Sequence, residues 1–302
     1  MAQVEDFLKY IRYELNLSTH TVSAYKKDLE QFAIFLSSNG EDIRWAEVTV
    51  NDIRSWMVEM SGSGMSQRSI RRKIQSLRAM YRWMMRRGMI ADSPAEEIEP
   101  AKFDSRLPVY VRPADMEAVL NDSDVDPTSF EQVRNHLMVD MLYETGMRRA
   151  ELISLTDANV DTSRCEMKVH GKRNKDRIIP FGTALAADIE QYRRIRNKEV
   201  GHTTEFFVTA KGRALYPTLV YNVVTTALAD IPLEHRSPHV LRHSFASAML
   251  NNGAQLNNVK ELLGHESLAA TQIYTHITFS ELKDNYQSAH PRALKKGGHY
   301  GN

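Results

Sequence analysis

The sequence predicts a mostly α-helical protein of two domains with one small β-hairpin. Three observations predict it. Apolar residues recur at three- and four-residue steps through most of the chain. Pro94, Pro100, Pro108 and Pro113 crowd one stretch and break any long helix there, so it reads as an extended connector. A strand–turn–strand pattern occurs once, over residues 165–181. With 302 residues and 42% apolar content, each domain can bury a core. The expected layout is a first domain over 1–100, a linker over 101–108 and a second domain over 109–302.

The chain should open with a helix carrying Val4, Phe7, Leu8 and Ile11. Ser18 is placed to cap a second, with Val22, Tyr25, Leu29, Phe32, Ala33 and Leu36 on its apolar face and Asn39-Gly40 as its stop. Thr49 starts a third, holding Ile53, Trp56, Met57 and Met60, and Gly62 and Gly64 form the loop after it. Ser66 opens a fourth with Ile70, Ile74, Leu77, Tyr81 and Met84 on one side. Formal net charge is only +1, but it is unevenly placed: residues 66–90 carry eight Lys/Arg and no acid. Arg68, Arg71, Arg72, Lys73, Arg78, Arg82, Arg86 and Arg87 would repel one another on a single helix, and a phosphate backbone would relieve that repulsion. Arg68, Arg71, Arg72, Arg78 and Arg82 are therefore candidate DNA contacts.

After the linker, Pro113–Leu120 and Val133–Glu144 read as helices, and Gly146 as the stop of the second. A short helix, Arg149–Leu155, follows, with Arg148 at its start. An arginine there is physically odd, because a helix N-terminus is already positive; a bound phosphate would resolve the oddity. Cys165–His170, the turn GKRNKD and Arg177–Phe181 make the hairpin. Thr204–Thr209 is a short strand candidate, and a helix is expected over about Pro217–Ala229.

Residues 237–276 concentrate the chemistry: SPHVLRHSFASAMLNNGAQLNNVKELLGHESLAATQIYTH. Ser237 is a good N-cap and Pro238 suits the first helical position. His239 and Arg242 lie three apart on one helical face and can act on one anion. Leu241, Phe245, Ala248 and Met249 form the apolar stripe, and Gly253 the stop. A second helix, Asn258–Leu263, ends at Gly264, His265 follows directly, and Ser267 can cap a third helix carrying Tyr274. The pair His239/His243 suggests zinc, but Val240 stands where a zincin helix needs its glutamate, and Arg242 would repel a cation. No metal or other cofactor is expected. A lone His or Tyr in a helical protein is more often structural than catalytic, so the weight lies on the set.

HVLRHSFA, then LLGHESLAATQIYTH, closely resembles the active-site box of the tyrosine site-specific recombinases, the phage-integrase superfamily, and is nearest to the bacterial Xer chromosome-dimer resolvases. Thr145, Gly146, Arg148, Glu151 and Leu152 match a further motif of that family. The resemblance implies a SAM-like helical bundle for the first domain, a catalytic second domain, and a C-shaped clamp round duplex DNA. It assigns Arg148, Lys172, His239, Arg242, His265 and Tyr274 as catalytic, and Glu151 as the support of Arg148. Tyr274 would be the nucleophile. Arg148 and Arg242 would hold the phosphate oxygens, with His265 bonding the same phosphate. His239 would take the tyrosine proton, and Lys172 would protonate the departing oxygen. Family members more often have Gly where Arg173 stands, which makes Arg173 and Lys175 possible substitutes for Lys172. His290–Ala293 resembles the Xer C-terminus, where a last helix, here capped by Ser280, docks into a neighbouring subunit.

The implied activity is metal- and ATP-independent recombination through a 3′-phosphotyrosine, resolving chromosome dimers at a dif-like site. The implied partners are a short inverted-repeat duplex, a homo- or hetero-tetramer with a related recombinase, and a cell-division DNA translocase. Alternatives are the integrase or transposase of a mobile element, a type IB topoisomerase-like enzyme, and a non-enzymatic DNA-binding regulator, which would not need Arg148, Lys172 and Tyr274 together. The opening MAQVEDFLKY has no apolar leader core, no run approaches a membrane span, and the single cysteine, Cys165, fits a reducing compartment, so the cytoplasm is expected.

Overall fold

A computed structural model describes residues 2–37, 43–99, 109–121, 125–171, 176–264 and 286–292. The chain divides into two compact units, Met1–Arg106 and Leu107–Asn302. It is mostly helical, and no described helix is long and apolar enough to cross a membrane.

The first unit is a helical bundle of α1 (Ala2–Lys9), α2 (Thr19–Leu36), α3 (Val50–Gly62) and α4 (Gln67–Arg86). The Ser18 hydroxyl accepts the Thr21 N–H at 3.2 Å, and Ser66 caps α4 in the same way through Ser69. Thr49 does more than start α3: its N–H donates to Asp52 at 2.8 Å, and its hydroxyl accepts from the Asp52 N–H, a reciprocal box. Gly62 is the last residue of α3 rather than loop, and Gly64 makes the turn with φ +79°. The expected stop at Asn39-Gly40 lies outside the described residues; α2 ends at Leu36. Phe7, Phe32, Trp45, Trp56, Leu77 and Tyr81 fill the core.

The charge of α4 needs correcting. Four of the eight cations, Arg72, Lys73, Arg82 and Arg87, meet acids brought by other segments of the unit. Asp28, on α2 and 1% exposed, accepts from both ends of the Arg72 guanidinium, from Lys73 at 3.1 Å and from the Ser76 hydroxyl at 2.7 Å. Lys73 is itself buried and also reaches Gln31. Arg82 pairs with Glu96 at 2.7 Å and Arg87 with Glu14 at 3.1 Å. Arg78 donates to the carbonyls of Ala95 and Ile98, tying α4 to the chain that follows it. Self-repulsion is therefore relieved within the unit at Arg72, Lys73, Arg82 and Arg87.

The second unit is built round α6 (Phe130–Thr145), which is buried on nearly every side. α5 (Pro113–Leu120), α8 (Thr183–Glu199), α9 (Pro217–Ala227) and α10 (Pro238–Asn251) pack against it or its neighbours. The 17-residue α8 is not expected from the sequence. Its inner face runs Leu185, Ile189, Tyr192 and then Arg196, a fully buried arginine bonded to Asp157 and the Phe206 carbonyl. α7 (Arg149–Ile153) follows α6 across Gly146. β1 (Val160–Asp161), β2 (Glu166–His170) and β3 (Asp176–Pro180) form an antiparallel sheet in that order, with Met167 opposite Ile179 and Val169 opposite Arg177. The hairpin is as expected; β1 is additional. Thr204–Thr209 is not a strand: it makes isolated bridges, Thr156 to Glu205 and Val208 to Ala214, while Phe206, Phe207 and Val208 enter the core. α11 (Leu256–Leu263) ends at Gly264, which has φ +64°.

Residues 286–292 are seated on this chain's own α6 and α10. Tyr286 and Ala289 join Phe245 and Met249 in one apolar cluster. Arg292 donates to Glu144 at 2.6 Å and Asp140 at 3.2 Å. The proposed cap Ser280 lies outside the described residues.

Candidate active site

Gly146 makes the site possible. Its φ of +60° ends α6 in the left-handed region. A Cβ there would lie 2.5 Å from Phe245 Cδ1 and 2.8 Å from Leu263 Cδ2. Only a bare backbone lets α10 and α11 close against this turn.

Arg148 stands at the N-cap of α7, held by Glu151 in two ways. The Glu151 carboxylate accepts the Arg148 backbone N–H at 2.7 Å and its Nη1 at 2.8 Å. That carboxylate relieves the electrostatic oddity of an arginine at a helix start. The other arm of Arg148, Nη2, donates to the Gly264 carbonyl at 2.8 Å. Arg242, on α10 and 7% exposed, donates to the Gly146 carbonyl and to the Leu263 carbonyl, both at 2.6 Å. Two arginines far apart in sequence thus bind successive carbonyls at the end of α11. A helix C-terminus carries partial negative charge and unsatisfied carbonyls, so it suits this load.

A third arginine, not singled out by the sequence reading, completes the set. Arg177 on β3 donates through Nη1 and Nη2 to the two oxygens of Glu151, each at 2.8 Å, and through Nε to the Leu262 carbonyl at 2.7 Å. A signal for it exists in the sequence. Strand residues alternate sides, and Arg177 shares the side of Ile179, which is fully buried, while Ile178 is exposed. A cation on a core-facing position needs a partner.

Burial alone would push the Glu151 carboxyl up. The hydrogen bonds and charge of Arg177, then those of Arg148, outweigh it and hold the carboxyl down at about 2. Glu151 is therefore ionised across any working pH. Burial, then the Arg148 charge, lowers the Arg242 guanidinium to about 10, still cationic at neutral pH.

His239 lies in the first turn of α10, three residues before Arg242. Ser237 and Pro238 start the helix as expected, though the Ser237 side chain makes no capping bond. The His239 ring is at the surface, with protein behind it. Desolvation on that side, then the charges of Arg149, His243, Arg242 and Arg148, lower its pKa below the usual 6.5. The neutral, proton-accepting ring is favoured at neutral pH.

Lys172, Arg173, Lys175, His265 and Tyr274 lie outside the described residues. The strands leading to Lys172 are described: Asp176 bonds Lys168 at 2.7 Å and His170 at 2.5 Å across the base of the hairpin. In the first unit Arg68, Arg71, Arg72 and Arg82 are exposed along α4, and Arg78 is half-buried.

Comparison with known proteins decides the family. Residues 110–281 match the phage integrase family, and residues 4–88 match its N-terminal SAM-like domain. The chain belongs to the phage integrase family. This integrase-family chain is 35% identical to the tyrosine recombinase XerC of Chlorobaculum parvum, over 96% of its own length and 94% of the relative's. It is 34% identical to the tyrosine recombinase XerD of Oceanobacillus iheyensis, covering 96% and 98%. It is thus a tyrosine recombinase of the XerC/XerD kind, an enzyme of site-specific recombination. Among solved structures, the XerH recombinase bound to its difH substrate has a TM-score of 0.68 at 21% identity, over 94% of this chain and 83% of that one. The Tn1549 transposon integrase bound to transposon right end DNA has a TM-score of 0.70 at 18% identity, over 94% and 98%. At such identities the two structures establish the shared fold.

Proposed function

We propose that this recombinase cuts and rejoins duplex DNA through a 3′-phosphotyrosine on Tyr274 and resolves chromosome dimers at a dif-like inverted repeat. The observation that supports it most is the joining of Arg148 and Arg242 at Gly264 and Leu263, immediately before His265. A guanidinium has five N–H donors. Arg148 directs two of its groups at Glu151 and Gly264, and Arg242 two at Gly146 and Leu263, so each keeps further donors for a phosphate.

In the proposed reaction the Tyr274 oxygen attacks phosphorus and the bond to the 5′ oxygen breaks. A free phenol, with pKa about 10, is a weak nucleophile at neutral pH, so His239 takes its proton. Lys172 gives a proton to the 5′ oxygen. Arg148, Arg242 and His265 hold the non-bridging oxygens as charge builds on them. The 5′-hydroxyl of another strand reverses the step with the same groups. The phosphotyrosine ester conserves the bond energy, so no nucleotide is consumed. Exchange of four strands calls for four protomers assembled on DNA, with this chain alone or with a related recombinase. Arg68, Arg71, Arg72, Arg78 and Arg82 would line the duplex, and a cell-division translocase would activate the complex.

The test begins by recovering the chromosomal sequence that the protein occupies in its host. A nicked suicide duplex carrying that sequence should then give a covalent adduct. Tyr274→Phe should bind the duplex as tightly and give none; an adduct of normal yield removes Tyr274 from its role. A topoisomerase would relax plasmid lacking the site, and a regulator would give no adduct at all.

A further inference from the structure

We infer that Arg177 is a positioning residue of the active site, setting the Arg148 guanidinium and the His265 segment through Glu151 and the end of α11. The inference rests on the recombinase reading above. Three observations carry it. Arg177 grips both oxygens of Glu151, and Glu151 holds the backbone and the guanidinium of Arg148. Its Nε takes the Leu262 carbonyl, so Arg177, Arg242 and Arg148 bind Leu262, Leu263 and Gly264 in turn. Its strand, β3, leads back into the turn that holds Lys172.

One side chain on β3 therefore touches two parts of the machinery: the carboxylate that aims Arg148, and the end of the helix that precedes His265. An arginine suits this where a lysine does not. The planar fork matches a carboxylate with two parallel bonds while Nε remains for a carbonyl. Glu151 without Arg177 would keep its two bonds from Arg148, both within its own turn, but would lose its tie to β3. A shift of about 1 Å in a reacting group lowers rate by roughly a hundredfold.

The charged groups facing Glu151 among the described residues are Arg148 from its own turn, Arg177 from β3 and Arg242 from α10; α11 presents carbonyls. Removing Arg177 takes away the strongest of the influences that keep the carboxyl ionised, and leaves the burial that favours its protonation. The Glu151 pKa then rises from about 2, with the two Arg148 bonds still opposing the rise.

The experiment compares the full chain with Arg177→Gln, Arg177→Lys and the double variant Arg177→Gln/Glu151→Gln. It uses a nicked duplex bearing the recovered chromosomal site and reads duplex affinity, single-turnover cleavage against pH, and thermal unfolding. Arg177→Gln should bind with unchanged affinity and cleave about a hundredfold more slowly. Its rate should also fall off on the acid side at a higher pH than the wild type's, and the double variant should lack that displaced limb. Arg177→Lys restores the cation, so its acid limb should return towards the wild-type position while its rate stays below wild type.

Wild-type rate in either single variant overturns the inference. So does a slower rate matched by equal loss of affinity with the acid limb unmoved, which marks a merely structural residue. If Arg177→Gln does not fold, Arg177→Lys decides alone: slower cleavage at unchanged affinity supports the inference, and any other result overturns it. Absence of an adduct with the wild-type chain would instead strike the recombinase reading.

Discussion

Along α4 and its C-cap, four cations take acids from separate places in the first unit: Asp28 for Arg72 and Lys73, Glu96 for Arg82, Glu14 for Arg87. In the second unit Arg148, Arg177 and Arg242 converge on one carboxylate, Glu151, and one helix end. The second arrangement gathers its excess positive charge round one point, whereas the first spreads its cations along a helix and pairs four of them with three separate acids. A helix rich in arginine is thus a weak sign of an anion site when other segments bring acids to it. Few arginines sharing one acid are a strong sign, since Coulomb repulsion at a buried site needs a further anion to offset it. The C-terminal segment shows the reverse case, with Asp140 and Glu144 sharing Arg292.

The largest effect on stability should come from the first unit. Asp28→Ala leaves the buried Lys73 ammonium without its counter-ion and takes the Asp28 carboxylate from the Ser76 hydroxyl. Breaking a buried pair from one side costs about 3–5 kcal/mol. All three tryptophans, Trp45, Trp56 and Trp83, belong to the first unit, so tryptophan fluorescence during urea unfolding reads this unit alone. An unchanged midpoint would mean that the cluster round Asp28 is not what holds α2 to α4.

In the second unit the expected loss is in rate. Arg148→Ala should cleave the nicked duplex roughly a hundred- to a thousandfold more slowly, the usual consequence of losing one donor to a charged transition state. Its tryptophan-reported midpoint should match the wild type's. Cleavage at full rate would remove Arg148 from the site and with it the contrast between the two regions.

What could be read beforehand follows the reach of each signal. Arg148 and Glu151, or His239 and Arg242, are three residues apart, so a helical turn joins them and the sequence displays the pair. Arg177 and Leu262 meet only through the fold, and the alternation that marks Arg177 as core-facing needs Ile178 and Ile179 to be judged with it. The same limit hid the acids that meet four of the cations of residues 66–90. Within residues 66–90 there is no acid, but Asp28 and Glu14 lie upstream and Glu96 downstream. The helices with caps at their starts, α2, α3 and α4, were visible; α8, whose N-cap is Gly182 and whose buried face ends in Arg196, was not.

Arg292 gives a pH-dependent effect of intermediate size. Burial, then their mutual charge in the case of Asp140, raises both Asp140 and Glu144, against the pull of Arg292. For acids raised in this way, the stabilising contribution is full below their unfolded pKa values, near 4, and is lost as pH rises through the folded values. Arg292→Gln removes the opposing cation and raises the folded values further, so the loss should extend to higher pH and be larger at pH 7. The variant should be less stable than the wild type by about 1–3 kcal/mol near neutrality. The gap should narrow towards pH 4 in calorimetric melts of the second unit. A gap constant across that range would show that Arg292 acts by packing alone.

The smallest expected effect on stability separates the cations of α4 from one another. Both members of the Arg82–Glu96 pair are about half exposed, and exposed pairs of this kind contribute little to folding. Arg82→Gln should leave the tryptophan-reported midpoint unmoved. Arg72→Gln should lower it, because Arg72 grips the buried Asp28 with both arms. Their effects on DNA should run the other way. Arg82 can exchange an exposed carboxylate for a phosphate at small cost, whereas Arg72 would have to release a buried one. If Arg82 contacts the duplex backbone, Arg82→Gln weakens binding and reduces the dependence of log affinity on log salt by about one. A salt slope equal to the wild type's would place Arg82 off the DNA, and its role would then be the tie between α4 and Glu96.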